Sequence, residues 1–163
     1  MLTFGFWNAI TKRDGYPLPR IDTSLDMLQG ARVFSVFDLY GGFHQFSVRP
    51  EDREKLAFTT PWGQFQYKRA PMGIANMPSL FSRAMNNIFA DMLFVHLLVY
   101  IDDLLCYSAS CKEHLEHLEA LFSRLEASGL KLSGKKSQLF TDSVIYLGHI
   151  VGQDGIKPDP EKL

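Results

Sequence analysis

Apolar and polar positions follow one another along this chain in short blocks that predict both strands and helices. The run 33–37 is almost wholly apolar and ends in Asp38, as expected of a strand buried on both faces. Segments 95–100 and 104–107 are equally apolar, and only Ile101-Asp102-Asp103 lies between them, which predicts a hairpin with acids at its tip. Further strands are expected at 43–48, 56–60, 64–67, 139–140 and 144–151.

Three segments carry apolar residues at helical spacing. A short helix is expected over 22–30, between an Asp start signal and a Gly stop, and the clearest helix begins at Pro78. A third helix is expected over 111–128, and Gly129 supplies its stop. The apolar stripe expected for this third helix consists of Leu115, Leu118, Phe122 and Leu125. The order of elements predicts one α+β domain without an internal repeat.

Composition narrows the class of protein. With 163 residues, 46% of them hydrophobic and 21% charged, the chain can form one domain with a real core, which excludes a wholly disordered protein. The net charge of -1 gives no global attraction to nucleic acid or anionic membrane, so any such affinity must be local. Cys106 and Cys111 prescribe no disulfide framework, and the run 94–101 is interrupted by His96. We therefore expect a soluble intracellular protein, without a signal peptide or membrane segment.

The acidic residues at the strand ends are the strongest chemical signal. Asp102 and Asp103 stand between apolar strands, where like charges repel and solvent screens poorly. If Asp38 lies beside this hairpin, three carboxylates converge and can hold hard divalent cations. Two such cations promote in-line phosphoryl displacement, which is the chemistry of nucleotidyl transfer or phosphodiester hydrolysis. The spacing alone leaves an alternative open, in which the pair is only a polar hairpin turn.

Longer motifs in a fixed order give a more specific indication. They are YPLPRID, VFDLYGGFHQFSVRPED, LAFTTPWGQFQY, APMGIANMPSLFSRAMN, YIDD, HLEHLEALFSRL, LKLSGKKSQLF and YLGHIVGQDGIKPDPEKL. With these motifs the chain resembles the reverse transcriptase of gypsy-like LTR retrotransposons, which is encoded within a pol polyprotein. The resemblance implies an α+β palm, an antiparallel sheet backed by two helices, with partial fingers and no thumb. It also implies one reverse transcriptase domain fragment over 1–163, with residual fingers at about 1–32 and 50–75.

The same resemblance assigns the catalytic residues. It implies that Asp38 and Asp102 are ligands shared by two Mg²⁺ ions, with Mn²⁺ as a possible substitute, and that Asp103 is the third carboxylate. The implied reaction is attack of a primer 3′-hydroxyl on the α-phosphate of an incoming dNTP. This is RNA-directed DNA synthesis, and DNA is also possible as template.

Further positions are implied to contact nucleotide or primer. The implied nucleotide-binding residues are Leu39, Gly41, Gly42, Phe43, Met72 and Lys136. Phe43 would exclude a ribose 2′-hydroxyl by contact, and Lys136 would lie near the triphosphate tail. The implied primer-binding residues are Tyr146, Leu147 and Gly148. Core packing, an ordinary turn, a solvated lysine and a plain edge strand remain the structural alternatives for these residues.

The expected partners follow from the implied reaction. They are an RNA or DNA template with its primer, dNTPs, and the fingers, thumb and ribonuclease H parts of a pol polyprotein, without a membrane. The expected location is the cytoplasm, in a retrotransposon particle, or the nucleus. Because basic fingers and a thumb are expected to be missing, the isolated chain should grip its substrate weakly.

The sequence also allows a function other than polymerase activity. A non-catalytic relic or a co-opted binding domain is the alternative to a polymerase. A nucleotidyl cyclase lacks support, since the hairpin tip carries no glycine-glycine-acidic signature.

His114 and His117 are expected on the surface of their helix, with no zinc site, and Trp62 is expected to be exposed in its turn.

Overall fold

The structure, a computed structural model, describes residues 4–17 and 19–160 of the chain. The helices are α1 (Gly5–Ile10), α2 (Ile21–Asp26), α3 (Met77–Ile88) and α4 (Cys111–Ser128). The strands are β1 (Val33–Asp38), β2 (Ala57–Thr60), β3 (Gly63–Gln66), β4 (Leu97–Tyr100), β5 (Asp103–Ser108), β6 (Gln138–Thr141), β7 (Ser143–Tyr146), β8 (His149–Gly152) and β9 (Gly155–Pro158). Residues 1–3, Leu18 and 161–163, which the expected domain includes, lie outside the described residues.

Four strands form the central sheet, in the order β4, β5, β1, β6. All neighbouring strands in it are antiparallel. At the turn between β4 and β5, Tyr100 pairs with Asp103, and Asp103 also pairs with Asp38 on β1. The apolar run and the acidic hairpin predicted from the sequence are therefore neighbours, and their acidic residues lie at the same end of the sheet.

The central sheet is buried on both faces, which explains its nearly continuous apolar strands. On one face, α3 and α4 pack against Phe37, Val99 and Leu104. On the opposite face, Leu98 and Leu105 pack against residues of α2 and of a second sheet, formed by β7, β8 and β9. An antiparallel sheet backed by helices is thus confirmed, whereas the second sheet as a covering layer is an addition to the expectation.

Helix α4 has the bounds that the sequence predicts. Its first turn is capped by the side chain of Ser110, which accepts a hydrogen bond from the N–H of Glu113 at 3.3 Å. Its last turn is closed by Gly129, with a φ of 68° in the left-handed region that glycine adopts without strain. Start and stop signals in the sequence therefore determine this helix.

The buried face of α4 is offset from the predicted stripe. Leu115 and Phe122 are 59% and 41% exposed, so their assignment to the core stripe is wrong. The buried residues of α4 are His114, Leu118, Leu121 and Leu125. The apolar arc of this helix is wide enough to fit either face, and the choice depends on polar partners of His114 that lie on other elements.

The strand predicted at 43–48 is wrong. Gly41 and Gly42 have φ values of 71° and 42°, and they turn the chain three residues after the end of β1. A short 3-10 helix, Gly42–Gln45, follows this turn, and Ser47 makes only an isolated bridge with Arg69. The left-handed glycine pair overrides the alternating pattern, because it redirects the backbone before a ladder can form.

Other element boundaries shift by a few residues. The hairpin predicted near Trp62 is confirmed as β2 and β3, and Trp62 itself is 87% exposed. The helix predicted over 22–30 ends at Asp26, and the strand predicted over 144–151 is divided between β7 and β8 by a turn at Leu147-Gly148. Two short 3-10 helices, Pro50–Asp52 and Glu54–Leu56, precede β2. Among the helices described, none has the length and hydropathy needed to cross a membrane.

Candidate active site

The end of β1 and the turn between β4 and β5 form the candidate active site. Asp38 is the last residue of β1 and lies directly opposite Asp103, the first residue of β5. Since directly opposed residues of an antiparallel pair project to the same face, these two carboxylates share one side of the sheet. The N–H of Leu39 donates to the carbonyl oxygen of Asp102 at 3.0 Å, which fixes the turn beside the end of β1. The structure therefore brings Asp38, Asp102 and Asp103 together.

The turn that presents Asp102 is strained. Only Ile101 and Asp102 lie between the paired residues Tyr100 and Asp103, so the loop contains two residues. Ile101 has a φ of 52°, in the left-handed region, which costs an L-residue about 1–2 kcal/mol and is least suited to β-branched side chains. Tight hairpins need a positive φ at their first loop position. The sequence thus keeps a strained isoleucine beside the acid where asparagine or glycine would fit more easily.

Asp102 is the carboxylate with an unsatisfied atom. Its Oδ1 is buried and has no hydrogen-bond partner among the described residues. Burial raises the pKa of Asp102 above its ordinary value, the charges of Asp103 and Asp38 raise it further, and Lys136 opposes the shift. A buried carboxylate oxygen without a donor is costly to keep ionised, so this atom would gain from a cation.

Asp103 and Lys136 complete the local charge balance. Burial raises the pKa of Asp103, and the charge of Asp38 adds to the shift, while Lys136 lowers it. The ammonium of Lys136 lies 3.3 Å from Oδ2 of Asp38. Three acids therefore share one lysine as a neighbouring positive charge. The side chain of Lys136 is 69% exposed, so water screens much of this interaction.

The donor chemistry of this site fits a hard divalent cation. Carboxylate oxygens are the ligands that Mg²⁺ prefers, and both the unpaired Oδ1 of Asp102 and the mutual repulsion of the three acids would be relieved by such an ion. The side chains are not already gathered as a metal cluster. Over 4–17 and 19–160, no group of three or more His, Cys, Asp or Glu residues is arranged to hold a metal ion. In the present arrangement the Lys136 ammonium is the cation that contacts Asp38.

The residues expected to bind nucleotide are only partly gathered at the acids. Leu39 is 1% exposed, so its side chain belongs to the core and only its backbone borders the site. The turn Gly41-Gly42 begins three residues after Asp38, and Lys136 contacts Asp38. Gly42 and Lys136 therefore lie beside the acids, and the contact of Gly41, Gly42 and Lys136 with a nucleotide stays a prediction.

Phe43 packs against helix α3, whereas Met72 is exposed to solvent. Phe43 lies in the 3-10 helix after the glycine turn, and its ring packs edge-on against Phe81 of α3 at a centroid distance of 5.1 Å. It is half-buried, which leaves part of the ring accessible beside the site. Met72 is 59% exposed on the turn before α3, so the alternative of a simple core methionine does not hold, and its contact with a nucleotide stays a prediction.

The residues expected to bind primer form the turn between β7 and β8. Tyr146 is 3% exposed and packs in the layer between the two sheets, so its ring is not free to grip a primer. Burial raises the pKa of Tyr146, and the charges of Asp103 and Tyr100 contribute, which indicates that this turn lies near the acids. Leu147 and Gly148 have φ values of 50° and 77° and remain half-buried. Any primer contact would therefore come from these two residues and not from the tyrosine ring.

A buried polar network joins α4 to β1 and β5, and it differs from the expectation for this helix. His114 is fully buried, so its expected surface position is wrong. Its Nε2 lies 2.7 Å from the hydroxyl of Ser35 on β1, and its Nδ1 lies 2.8 Å from the hydroxyl of Ser108 on β5. Ser108 also contacts Nδ1 of His117 at 2.7 Å. Two serines inside otherwise apolar strands were the available signal, because a buried hydroxyl needs a partner.

Comparison with known proteins gives a consistent family. Residues 6–151 match the family described as "Reverse transcriptase (RNA-dependent DNA polymerase)". The chain is 42% identical over 156 residues to the Retrovirus-related Pol polyprotein from transposon 297 of Drosophila melanogaster, covering 96% of the chain and 15% of that relative. It is 34% identical over 163 residues to the corresponding polyprotein from transposon gypsy of the same organism, covering 16% of it. The chain thus spans a small part of these relatives.

Solved structures agree with this result. The fold resembles the foamy viral protease-reverse transcriptase in complex with an RNA/DNA hybrid, with a TM-score of 0.86, 27% identity, and coverage of 99% of this chain and 22% of that one. A second foamy viral protease-reverse transcriptase structure, in complex with double-stranded DNA, gives a TM-score of 0.87 at 28% identity, with coverage of 95% and 27%. The fold formed by the central sheet and its two helices therefore also occurs within larger proteins.

Proposed function

Because this chain belongs to the reverse transcriptase (RNA-dependent DNA polymerase) family, we propose that it carries the catalytic palm of a retrotransposon Pol polyprotein. The proposed reaction is templated addition of a deoxynucleotide to a primer 3′-hydroxyl. One observation carries the proposal, namely the pairing of Asp38 with Asp103 beside Asp102 at one end of a buried sheet. Acidic oxygens contributed by separate parts of the chain support the proposal, because two-metal phosphoryl transfer needs several such oxygens in one place.

The acids are proposed to bind divalent cations. Asp38 and Asp102 would hold two Mg²⁺ ions, or Mn²⁺ in their place, with Asp103 as the third carboxylate. Such ions, when bound, stabilise both the attacking and the leaving oxygen of an in-line displacement. The backbone hydrogen bond from Leu39 to Asp102 joins the end of β1 to the turn that carries Asp102, which supports the proposal that Asp38 and Asp102 share the ions.

The neighbouring residues are proposed to orient the nucleotide. The ring of Phe43, fixed edge-on against Phe81, would lie under the deoxyribose and exclude a 2′-hydroxyl by contact. The backbone N–H groups of Gly41 and Gly42 would approach the triphosphate. Lys136 would move from Asp38 to the departing pyrophosphate and neutralise its charge.

The partners of the proposed reaction are a primed RNA or DNA template and dNTPs, inside the cell. The foamy viral relatives are described as complexes with an RNA/DNA hybrid and with double-stranded DNA, which supports this choice of substrate. Phosphate contacts dominate nucleic-acid affinity. This chain has a net charge of -1, so we propose that fingers, thumb and ribonuclease H segments of the polyprotein make most of the contacts with the duplex.

Primer extension tests the proposed function. A DNA primer annealed to an RNA template is incubated with the chain, Mg²⁺ and one dNTP, and products are resolved to single nucleotides. We expect slow addition of one or a few nucleotides, lost in Asp102→Asn and kept in Asp154→Asn, an exposed acid on the turn between β8 and β9. Extension by Asp102→Asn at the wild-type rate would contradict the catalytic assignment. Robust processive synthesis would contradict the expected weak binding of the primer-template duplex.

A further inference from the structure

Gly42 occupies a position that no larger residue could take without displacing Asp102. It is buried at the start of the 3-10 helix Gly42–Gln45 and has a φ of 42°. A Cβ atom built on Gly42 would lie 2.5, 2.6 and 2.7 Å from Oδ1, Oδ2 and Cγ of Asp102. These separations are well inside van der Waals contact, so the carboxylate fills the space of the missing side chain.

The adjacent residue, Gly41, is constrained by its backbone conformation and not by a close contact. Gly41 also has a positive φ, of 71°, but a Cβ atom there would meet only Cβ of His44, at an ordinary 3.8 Å. Both positions are strained for L-residues by their backbone conformation. Only Gly42 is additionally constrained by the carboxylate of Asp102. Comparing substitutions of Gly41 and Gly42 therefore separates the effect of backbone strain from the effect of contact with the Asp102 carboxylate.

In Asp102, the carboxylate and not the backbone is the part that would move away from such a contact. Its backbone is fixed by the two-residue turn and by the hydrogen bond from Leu39 to its carbonyl oxygen. Its Oδ1 is buried and accepts no hydrogen bond from a described residue. The close approach to the bare Cα of Gly42, with no hydrogen bond holding Oδ1, is therefore one determinant of where this oxygen lies.

We propose that Gly42 is a positioning residue that sets the place of the Asp102 carboxylate relative to Asp38. This rests on the proposed function, in which both acids bind a divalent cation. It gives Gly42 a role distinct from approach to the triphosphate, since the constraint exists before any nucleotide is bound. A methyl group at residue 42 would move the carboxylate by several tenths of an ångström or more, and metal ligation tolerates little more than about 0.2 Å.

Manganese binding in the absence of nucleotide tests the proposal. Free Mn²⁺ is followed by electron paramagnetic resonance during titration of the full chain, for wild type, Gly42→Ala, Gly41→Ala and Asp102→Asn. We expect Gly42→Ala to weaken binding about tenfold or more, equivalent to about 1.4 kcal/mol, and Gly41→Ala to stay within about threefold of wild type. In an Asp102→Asn background, Gly42→Ala should cause little further loss, because the two changes affect the same ligand.

The melting temperature provides a second readout that needs no metal. If Gly42→Ala destabilises the fold, Asp102→Ala in the same chain should recover the part of the loss in melting temperature that contact with the carboxylate causes, because the methyl group then has room, whereas the part caused by the positive φ remains. The same change should not rescue Gly41→Ala. Equal rescue of both glycine variants, or no rescue of Gly42→Ala, would overturn the proposal.

The outcomes also distinguish this inference from the proposed function. Wild-type Mn²⁺ affinity in Gly42→Ala, together with a loss in Asp102→Asn, would overturn the role of Gly42 alone. An equal loss in Gly41→Ala and Gly42→Ala would also overturn it, because strain would then be sufficient. Wild-type affinity in Asp102→Asn would instead refute the metal-binding role of Asp102 in the proposed function.

Discussion

At the scale of single residues, two of the three acids act against the stability of the fold that carries them. Asp102 and Asp103 both have pKa values raised by burial and by neighbouring negative charge. An acid whose pKa is higher in the folded state contributes stability below its ordinary pKa, and that stability is lost as the pH rises through the folded value. At neutral pH the ionised acids therefore destabilise the metal-free protein.

Asp102→Asn should consequently stabilise the metal-free protein at pH 7. The amide removes the charge from the repulsive cluster and keeps nearly the same shape beside Gly42. We expect a rise in melting temperature of about 2–4 °C, which corresponds to about 1 kcal/mol in a chain of this size. Differential scanning calorimetry in EDTA measures it, with Asp154→Asn as the exposed control. A lower melting temperature for Asp102→Asn than for that control would contradict the electrostatic interpretation.

Lys136 should compete with divalent cations for Asp38. Its ammonium lies 3.3 Å from Oδ2 of Asp38, and an exposed ion pair of this kind is worth roughly 0.2–1 kcal/mol. Lys136→Met should therefore tighten Mn²⁺ binding by about two- to fivefold in the absence of nucleotide. Isothermal titration calorimetry measures the affinity, and Lys135→Met, the exposed neighbour, is the matched control. Weaker binding in Lys136→Met would show that the lysine does not compete with the ion.

The residue scale also shows what the sequence can and cannot predict about the site. The convergence of Asp38, Asp102 and Asp103 follows from apolar strands whose ends can be recognised by their acids. The constraint on Gly42 could not be predicted, because it depends on an approach between residues sixty positions apart. Glycine pairs serve any tight turn, and only tertiary structure separates the two members.

At the scale of elements, a buried polar network joins helix α4 to the strands that end in the acids. His114 on α4 contacts Ser35 on β1 and Ser108 on β5, and the N–H of Phe140 on β6 donates to the same Ser35 hydroxyl at 3.1 Å. Such bonds are satisfied only in one register of the strands. A slip of β1 by one residue would leave buried polar atoms without partners and would separate Asp38 from Asp103.

This network should make the fold sensitive to mild acid. Burial lowers the pKa of His114, the charge of His117 lowers it further, and Glu113 opposes the shift. The pKa of His96, which stacks on His117 at 4.1 Å, is also lowered by burial and by His117, with Asp91 and Glu113 opposing. A histidine with a lowered folded pKa takes up its proton first in the unfolded state. Stability is therefore lost as the pH falls below about 6.5.

Urea denaturation between pH 7.5 and 5 measures this loss. Each such histidine can contribute up to about 1.4 kcal/mol per pH unit between its folded and unfolded pKa values. We expect His114→Gln to be less stable at pH 7.5 but to show a shallower dependence on pH than wild type. His149→Gln, at the start of β8, is the control variant. An unchanged slope in His114→Gln would contradict the account.

Local signals in the sequence predict some elements well and others poorly. Helix α4 is predicted to the residue, because Ser110 and Gly129 mark its ends. Its buried face is predicted only in part, since the partners of His114 are contributed by distant strands. The segment after β1 is predicted as a strand from alternation alone, although the glycine turn makes it a 3-10 helix. The errors occur where tertiary contacts or positive φ values override a pattern.

At the scale of the whole molecule, the acids lie at one end of a sheet that is covered on both faces. Two helices cover one face, and α2 with the second sheet covers the other. This packing holds the acidic strand ends rigidly, which favours a site that must keep short ligand distances. The chain spans 15% and 16% of the Drosophila polyproteins that it resembles. We therefore propose that it supplies the chemistry while other segments hold the nucleic acid.

The most direct test of this account is to locate divalent cations in the protein. Crystals grown with Mn²⁺ and measured at the manganese absorption edge would reveal each bound ion by its anomalous signal. We predict a peak within about 2.0–2.6 Å of carboxylate oxygens of both Asp38 and Asp102, the range for hard divalent cations. Manganese bound only elsewhere, or absent from these carboxylates at millimolar concentration, would contradict the central claim.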